Sequence, residues 1–233
     1  MNTAVLDVFR VDSQGQEHKV GQLAENKQVY FQYDADYLAT GRSLSPFRLA
    51  FNADLQLCRD KAQALHGVFA DSLPDGWGQL LIDRWLRSQG HIPQTFSLMD
   101  RLALVGERGI GALRYRPAAS LPDNHPLVEL THLGQQAQAI FDGHSDEVLP
   151  QLLNMGSSGG ARPKALIYVQ PNTQQISSQP QPESEPWLIK FTSSHLALGH
   201  DEGRCEAAYL TLAKQVGITV PEWQLYRQGE QAW

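Results

Sequence analysis

An α+β fold follows from three features of the sequence: alternating apolar residues near the amino terminus, two capped helical segments in the middle, and a glycine loop that leads into strands and a helix in the last third. Residues 4–51 read as short strands. Val5, Val8, Phe9 and Val11 mark the first, Val29–Tyr33 the second before an Asp34-Ala35-Asp36 turn, and Phe47–Phe51 a third. In Asp71-Ser72-Leu73-Pro74-Asp75-Gly76-Trp77, either Asp71 or Ser72 can cap a helix and Pro74 suits its first turn. Trp77, Leu80, Leu81 and Trp85 then share one face, and the helix is predicted to end near Gly90. Ser97 with Asp100 three residues on opens another helix, carried by Leu98, Leu102 and Val105 and stopped at Gly106. Gly111–Arg116 reads as a strand. Pro117, Pro122 and Pro126 punctuate a connector into helices near residues 129–142 and 145–154.

The carboxy-terminal third has a different pattern. Strands are predicted at Ala165–Gln170 and Trp187–Phe191, separated by Pro171–Pro186, a Gln-, Ser- and Pro-rich loop expected to be exposed and mobile. Residues 202–216 place Cys205, Ala208, Tyr209, Leu212, Ala213 and Val216 on one stripe, the spacing of a buried helical face. Gly217 ends that helix, and Trp223–Tyr226 is strand-like. The expected organisation is a mainly β amino-terminal subdomain with helices over 1–117, then linker helices and a nucleotide-binding sheet with one helix over 118–233.

Composition narrows the function. With 42% hydrophobic residues in 233, the chain can bury a core. Its apolar runs are far shorter than the ~20 residues that cross a bilayer, and its start lacks a basic then apolar signal region, so a cytoplasmic protein without a membrane span is expected. A formal charge of −6 argues against a broad nucleic-acid surface, which needs clustered Lys and Arg to release counterions. Cys58 and Cys205 stand alone, and no pair of histidines has HxxxH or HExxH spacing, so neither a disulfide nor a metal site is expected. Asp71, Asp75 and Asp83 lie near a helix start, where capping accounts for acids.

The chemistry concentrates in Met155-Gly156-Ser157-Ser158-Gly159-Gly160-Ala161-Arg162-Pro163-Lys164, followed at once by a β-type run. Small residues let backbone N–H groups approach phosphate oxygens. The segment is not a Walker loop, because no Gly-Lys pair follows Gly156 at the required distance. Lys190, inside Trp187-Leu188-Ile189-Lys190-Phe191, needs an anionic partner, and Glu206 on the following helix is the candidate. Glycine loop, strand, lysine strand and glutamate helix succeed one another as in protein kinases, where the loop covers the phosphates, the lysine meets the α- and β-phosphates, and the glutamate holds the lysine.

These segments, together with Phe69–Gly78, Val105–Leu113 and Glu206–Pro221, resemble the HipA-like serine/threonine kinases of bacterial toxin–antitoxin systems. The resemblance implies a kinase-like amino-terminal lobe with one αC-type helix. It implies ATP and Mg²⁺ as cofactors of the full-length protein, although none is required by this segment, and it makes Ser157, Ser158, Gly159, Gly160, Ala161, Lys164, Lys190 and Glu206 the nucleotide-binding residues. Autophosphorylation is expected at Ser157, with Ser158 as the alternative. Arg162-Pro163 departs from the polar residues of the best-known family member. The partners implied are an antitoxin-like DNA-binding protein and a protein substrate, with no direct nucleic-acid contact.

After Glu206 the sequence has no Asp, Asn or His to act as base or metal ligand, so the catalytic half is expected to be absent, the chain alone inactive and its nucleotide affinity weak. The other expectation is a non-catalytic interaction module, or a split subunit that binds an antitoxin-like partner or a separate kinase lobe.

Overall fold

The computed structural model describes residues 3–58, 64–122, 126–156, 159–228 and 231–232. It is α+β, with antiparallel sheets and several helices. In chain order the elements are β1 (Val5–Val11), β2 (Glu17–Asn26), β3 (Gln28–Tyr33), α1 (Ala35–Leu38), β4 (Gln56–Leu57), α2 (Gly67–Ala70), α3 (Gly76–Ser88), α4 (Leu98–Val105) and β5 (Leu113–Arg116). There follow α5 (Leu130–Phe141), α6 (Pro150–Asn154), β6 (Lys164–Val169), β7 (Ile176–Ser177), β8 (Glu185–Lys190), α7 (Glu202–Gln215), β9 (Arg227–Gln228) and β10 (Gln231–Ala232). They form two compact units, one of Met1–Pro74 with Gln89–Pro122, the other of Asp75–Ser88 with Asp123–Trp233. Helix α3 therefore belongs with the later part of the chain, which a linear division near residue 117 does not anticipate.

In the first unit the sheet order is β4-β3-β2-β1-β5, antiparallel throughout. Leu6 and Val8 of β1, Leu23 of β2 and Phe31 of β3 are fully buried, as period-two alternation requires. Strand β2 escaped the sequence reading. An irregularity opposite Val8 and Phe9 leaves Val20 unpaired between Lys19 and Gly21, so Val20, Gly21 and Leu23 are all buried and the alternation is broken. Phe47–Phe51 is not a strand. The side chain of Gln56 accepts from Ala50 N and donates to Ala50 O, both at 2.8 Å, so the Ala50 backbone groups are satisfied without a ladder, and Phe47 stands 93% exposed.

The α4 start is the reciprocal cap that its sequence predicts: Asp100 N donates to Ser97 Oγ and Ser97 N to the Asp100 carboxylate, both at 3.2 Å. The helix stops at Gly106, where φ is +49°. The other oxygen of the buried Asp100 accepts from Thr3 N at 2.9 Å, tying the chain start to this cap. Ser97→Ala is expected to destabilise the first unit by about 1 kcal/mol, read as a lower urea midpoint of its unfolding.

The second unit is built on a three-stranded antiparallel sheet, β7-β6-β8, whose Ala165, Ile167 and Ile189 are buried. Strand β7 lies within Pro171–Pro186, so that loop is not exposed throughout. Ser177 pairs with Tyr168, and Ser178 N donates to Pro126 O at 2.8 Å, which leaves both serines buried. Helix α6 is shorter than expected because Leu149, preceding Pro150, is held extended with ψ 134°. Trp223–Tyr226 forms no strand; the short β9–β10 hairpin follows it. Helix α3 begins at Gly76, with Gln79 N donating to Asp75 O at 3.2 Å, and neither Asp71 nor Ser72 caps it. The Ser72 hydroxyl instead accepts from Tyr115 Oη at 2.7 Å in the first unit.

Helix α7 corrects a further expectation. The stripe of Tyr209, Leu212 and Val216 is exposed, by 75%, 56% and 74%, and the helix has no fully buried residue. Its better-covered positions are Glu202, Gly203, Cys205, Ala207, Leu210 and Ala213, so that of the expected stripe only Cys205 and Ala213 are partly covered. At 3.6 residues per turn Gly203, Ala207 and Leu210 lie a quarter-turn or more from Tyr209, Leu212 and Val216. Two ion pairs, Arg162–Glu202 at 2.9 Å and Lys190–Glu206 at 2.7 Å, join the helix to the glycine loop and to β8.

Candidate functional site

Register brings the two strand lysines together. In the β6–β8 ladder Lys164 is directly opposite Lys190, and Leu166 opposite Leu188. Directly opposed residues share a face, and so do residues two apart, so both lysines and both leucines line one side of the sheet. The other side carries the buried Ala165, Ile167 and Ile189. The lysine side is more open: Leu188 is 43% exposed, and Lys190 projects half-exposed.

Lys190 meets its expected partner. Its Nζ donates to both carboxylate oxygens of Glu206, at 2.7 and 3.0 Å. Both side chains are about half exposed, so water screens the pair and its contribution to stability is at most ~1 kcal/mol. It serves orientation more than folding. Lys164 is buried, and its Nζ donates to the carbonyl of Gly159. Its ammonium is held below the ordinary lysine value, first by burial and then by the charge of Lys190, with Asp75 and Glu206 opposing the shift. Two cations in register, one of them desolvated, make this face favourable to an added anion.

The glycine loop is tied at both ends of its described part. Gly160 N donates to Asp75 Oδ1 at 2.8 Å, and Gly160 O accepts from Trp77 N at 3.0 Å. The buried Trp77 indole N–H donates to Lys164 O at 2.9 Å. Arg162 pairs with Glu202, and Pro163 O accepts from Phe191 N at 2.9 Å. Gly159 and Gly160 both have positive φ, +50° and +88°, which is why small residues recur here. Ala161 is exposed beside them. Ser157 and Ser158, the expected phosphorylation sites, lie outside the described residues.

Gly159, Gly160, Ala161, Lys164, Lys190 and Glu206 thus converge on one end of the β6–β8 sheet. Asp75, Gly76 and Trp77 join them, although in sequence Asp75 is accounted for by its place near a helix start. An Asp-Gly step immediately before an amphipathic helix was the available signal, but its partner lies 85 residues away. Among the described residues no group of three or more His, Cys, Asp or Glu side chains is arranged to hold a metal ion, and no helix is long and apolar enough to cross a membrane.

Comparison with known families finds two domain models in the chain. The HipA N-terminal domain model matches residues 14–116, and the HipA-like C-terminal domain model matches residues 156–233, beginning at the glycine loop. No curated protein and no solved structure gives a match to the chain. The matched domains bring with them the context of toxin–antitoxin systems, and the chain is a HipA-like protein.

Proposed function

We propose that residues 156–206 form the phosphate cradle of an ATP-dependent serine/threonine protein kinase of the toxin–antitoxin type. The observation that carries this reading is the opposition of Lys164 and Lys190 across one face, with the glycine loop running into Lys164 and Glu206 holding Lys190. Loop amides and two cations suit di- and triphosphates. The apolar Leu166 and Leu188 on the same face suit a flat base beside them. The acids at this face, Asp75 and Glu206, are hydrogen-bonded to Gly160 and Lys190. Mg²⁺, with its octahedral oxygen coordination, would draw on further ligands besides these two acids. In this role Lys190 orients the α- and β-phosphates and Glu206 orients Lys190. The family context supports toxin–antitoxin partnering in general, and an antitoxin-like DNA-binding protein and a protein substrate are the partners proposed here.

The test is intact-mass analysis of the natural protein after incubation with Mg-ATP. A gain of one phosphoryl group, mapped by peptide fragmentation to Ser157 or Ser158, is the expected result. An unchanged mass, together with no transfer to any added protein, would remove the kinase reading.

A second reading, a non-catalytic module that binds another protein, draws on the exposed Tyr209, Leu212 and Val216 stripe of α7. Nucleotide-independent binding to an antitoxin-like protein without any phosphorylation would favour it.

A further inference from the structure

A glycine loop that binds phosphate must be flexible enough to fit the ligand yet ordered enough that ordering it does not consume the binding energy. In this protein its order comes from outside the loop. The start of α3 presents three groups to it: the Asp75 carboxylate takes the Gly160 N–H, the Trp77 N–H takes the Gly160 carbonyl, and the Trp77 indole holds the Lys164 carbonyl. Gly76 makes the approach possible. Its φ is +38°, and a Cβ built there would stand 2.5 Å from Gly160 O. The carboxylate also lies within 3.6 Å of where a Gly159 Cβ would be, so Asp75 runs along the loop.

We infer that Asp75, Gly76 and Trp77 are positioning residues that hold Gly159–Lys164 in the shape that receives nucleotide phosphates. This rests on the phosphate-cradle reading above. The Asp75 contact uses one loop amide and fixes the two left-handed glycines. The Trp77 contacts fix the carbonyls on either side of the Arg162–Pro163 step, so the backbone entering Lys164 is set before any ligand arrives. None of the three is required to touch the nucleotide.

The experiment uses the natural protein and two readouts. The first, without nucleotide, is the NMR amide-proton resonance of Gly160, which a charge-assisted bond to a carboxylate moves downfield. The second is the kinetics with Mg-ATP. Asp75→Ala is expected to move the Gly160 resonance upfield and to raise the KM for ATP about tenfold or more, the effect of losing a hydrogen bond to a charged group. Its kcat should change by less than about twofold, because the chemistry groups stay in place. Asp75→Asn keeps a neutral acceptor and should restore both in part. Gly76→Ala, whose methyl collides with the Gly160 carbonyl, should raise KM without any change of charge. An unmoved Gly160 resonance in Asp75→Ala, or a moved resonance with unchanged KM, would overturn the inference. If wild-type protein shows the Gly160–Asp75 bond but takes no ATP, the cradle reading is what fails, and the positioning role falls with it.

Discussion

Lys190→Ala in the natural protein is expected to reduce phosphoryl transfer by on the order of 10²–10³-fold, the loss seen when one preorganised electrostatic donor is removed. Lys190 is the exposed member of the opposed lysine pair, and it is the one that a carboxylate orients. Lys164 cannot replace it, since its ammonium is turned to Gly159 O and buried. Folding should survive the change. The Lys190–Glu206 pair is half exposed and contributes at most ~1 kcal/mol, so the melting temperature should move by no more than a few degrees. Glu206→Gln keeps a hydrogen-bonding side chain but loses the charge, so it should misplace the lysine and reduce activity less than Lys190→Ala does. A Lys190→Ala protein that phosphorylates itself at the wild-type rate, measured by radiolabel or intact mass, eliminates this role for the residue.

Trp77→Ala should give the largest stability loss in the second unit, about 3–5 kcal/mol, as expected for a fully buried tryptophan. Much of that is cavity and lost apolar burial. A separable part is the indole donor to Lys164 O, and Trp77→Phe isolates it. Phenylalanine keeps most of the apolar volume but leaves the carbonyl without this donor, at a cost of about 1–3 kcal/mol. Denaturant unfolding followed by a probe in the second unit checks both. Equal losses for the two substitutions would mean that the hydrogen bond, not the packing, dominates. Negligible loss for Trp77→Ala would contradict the burial itself.

Much of this molecule was legible in its sequence because the signals are local. The Ser97/Asp100 cap, the Gly106 stop, the strands at Val29–Tyr33 and Lys164–Val169 and the helix at 202–215 each follow from groups within a few residues of one another. The Lys190–Glu206 pair was also legible, since a cation inside an apolar strand needs an anionic partner. What needed the tertiary structure is what depends on distant partners. Phe47–Phe51 has strand composition, yet the Gln56 side chain takes up the Ala50 backbone groups and no strand forms. The apolar stripe of α7 has the spacing of a buried face, yet Tyr209, Leu212 and Val216 stay exposed while Glu202 and Glu206 meet Arg162 and Lys190. Asp75 looks like a capping acid until the fold brings Gly160 to it across 85 residues. Periodicity and capping report what a segment can form by itself. Which face is covered, and which loop a side chain holds, is decided by long-range contacts whose energies are comparable to those local preferences.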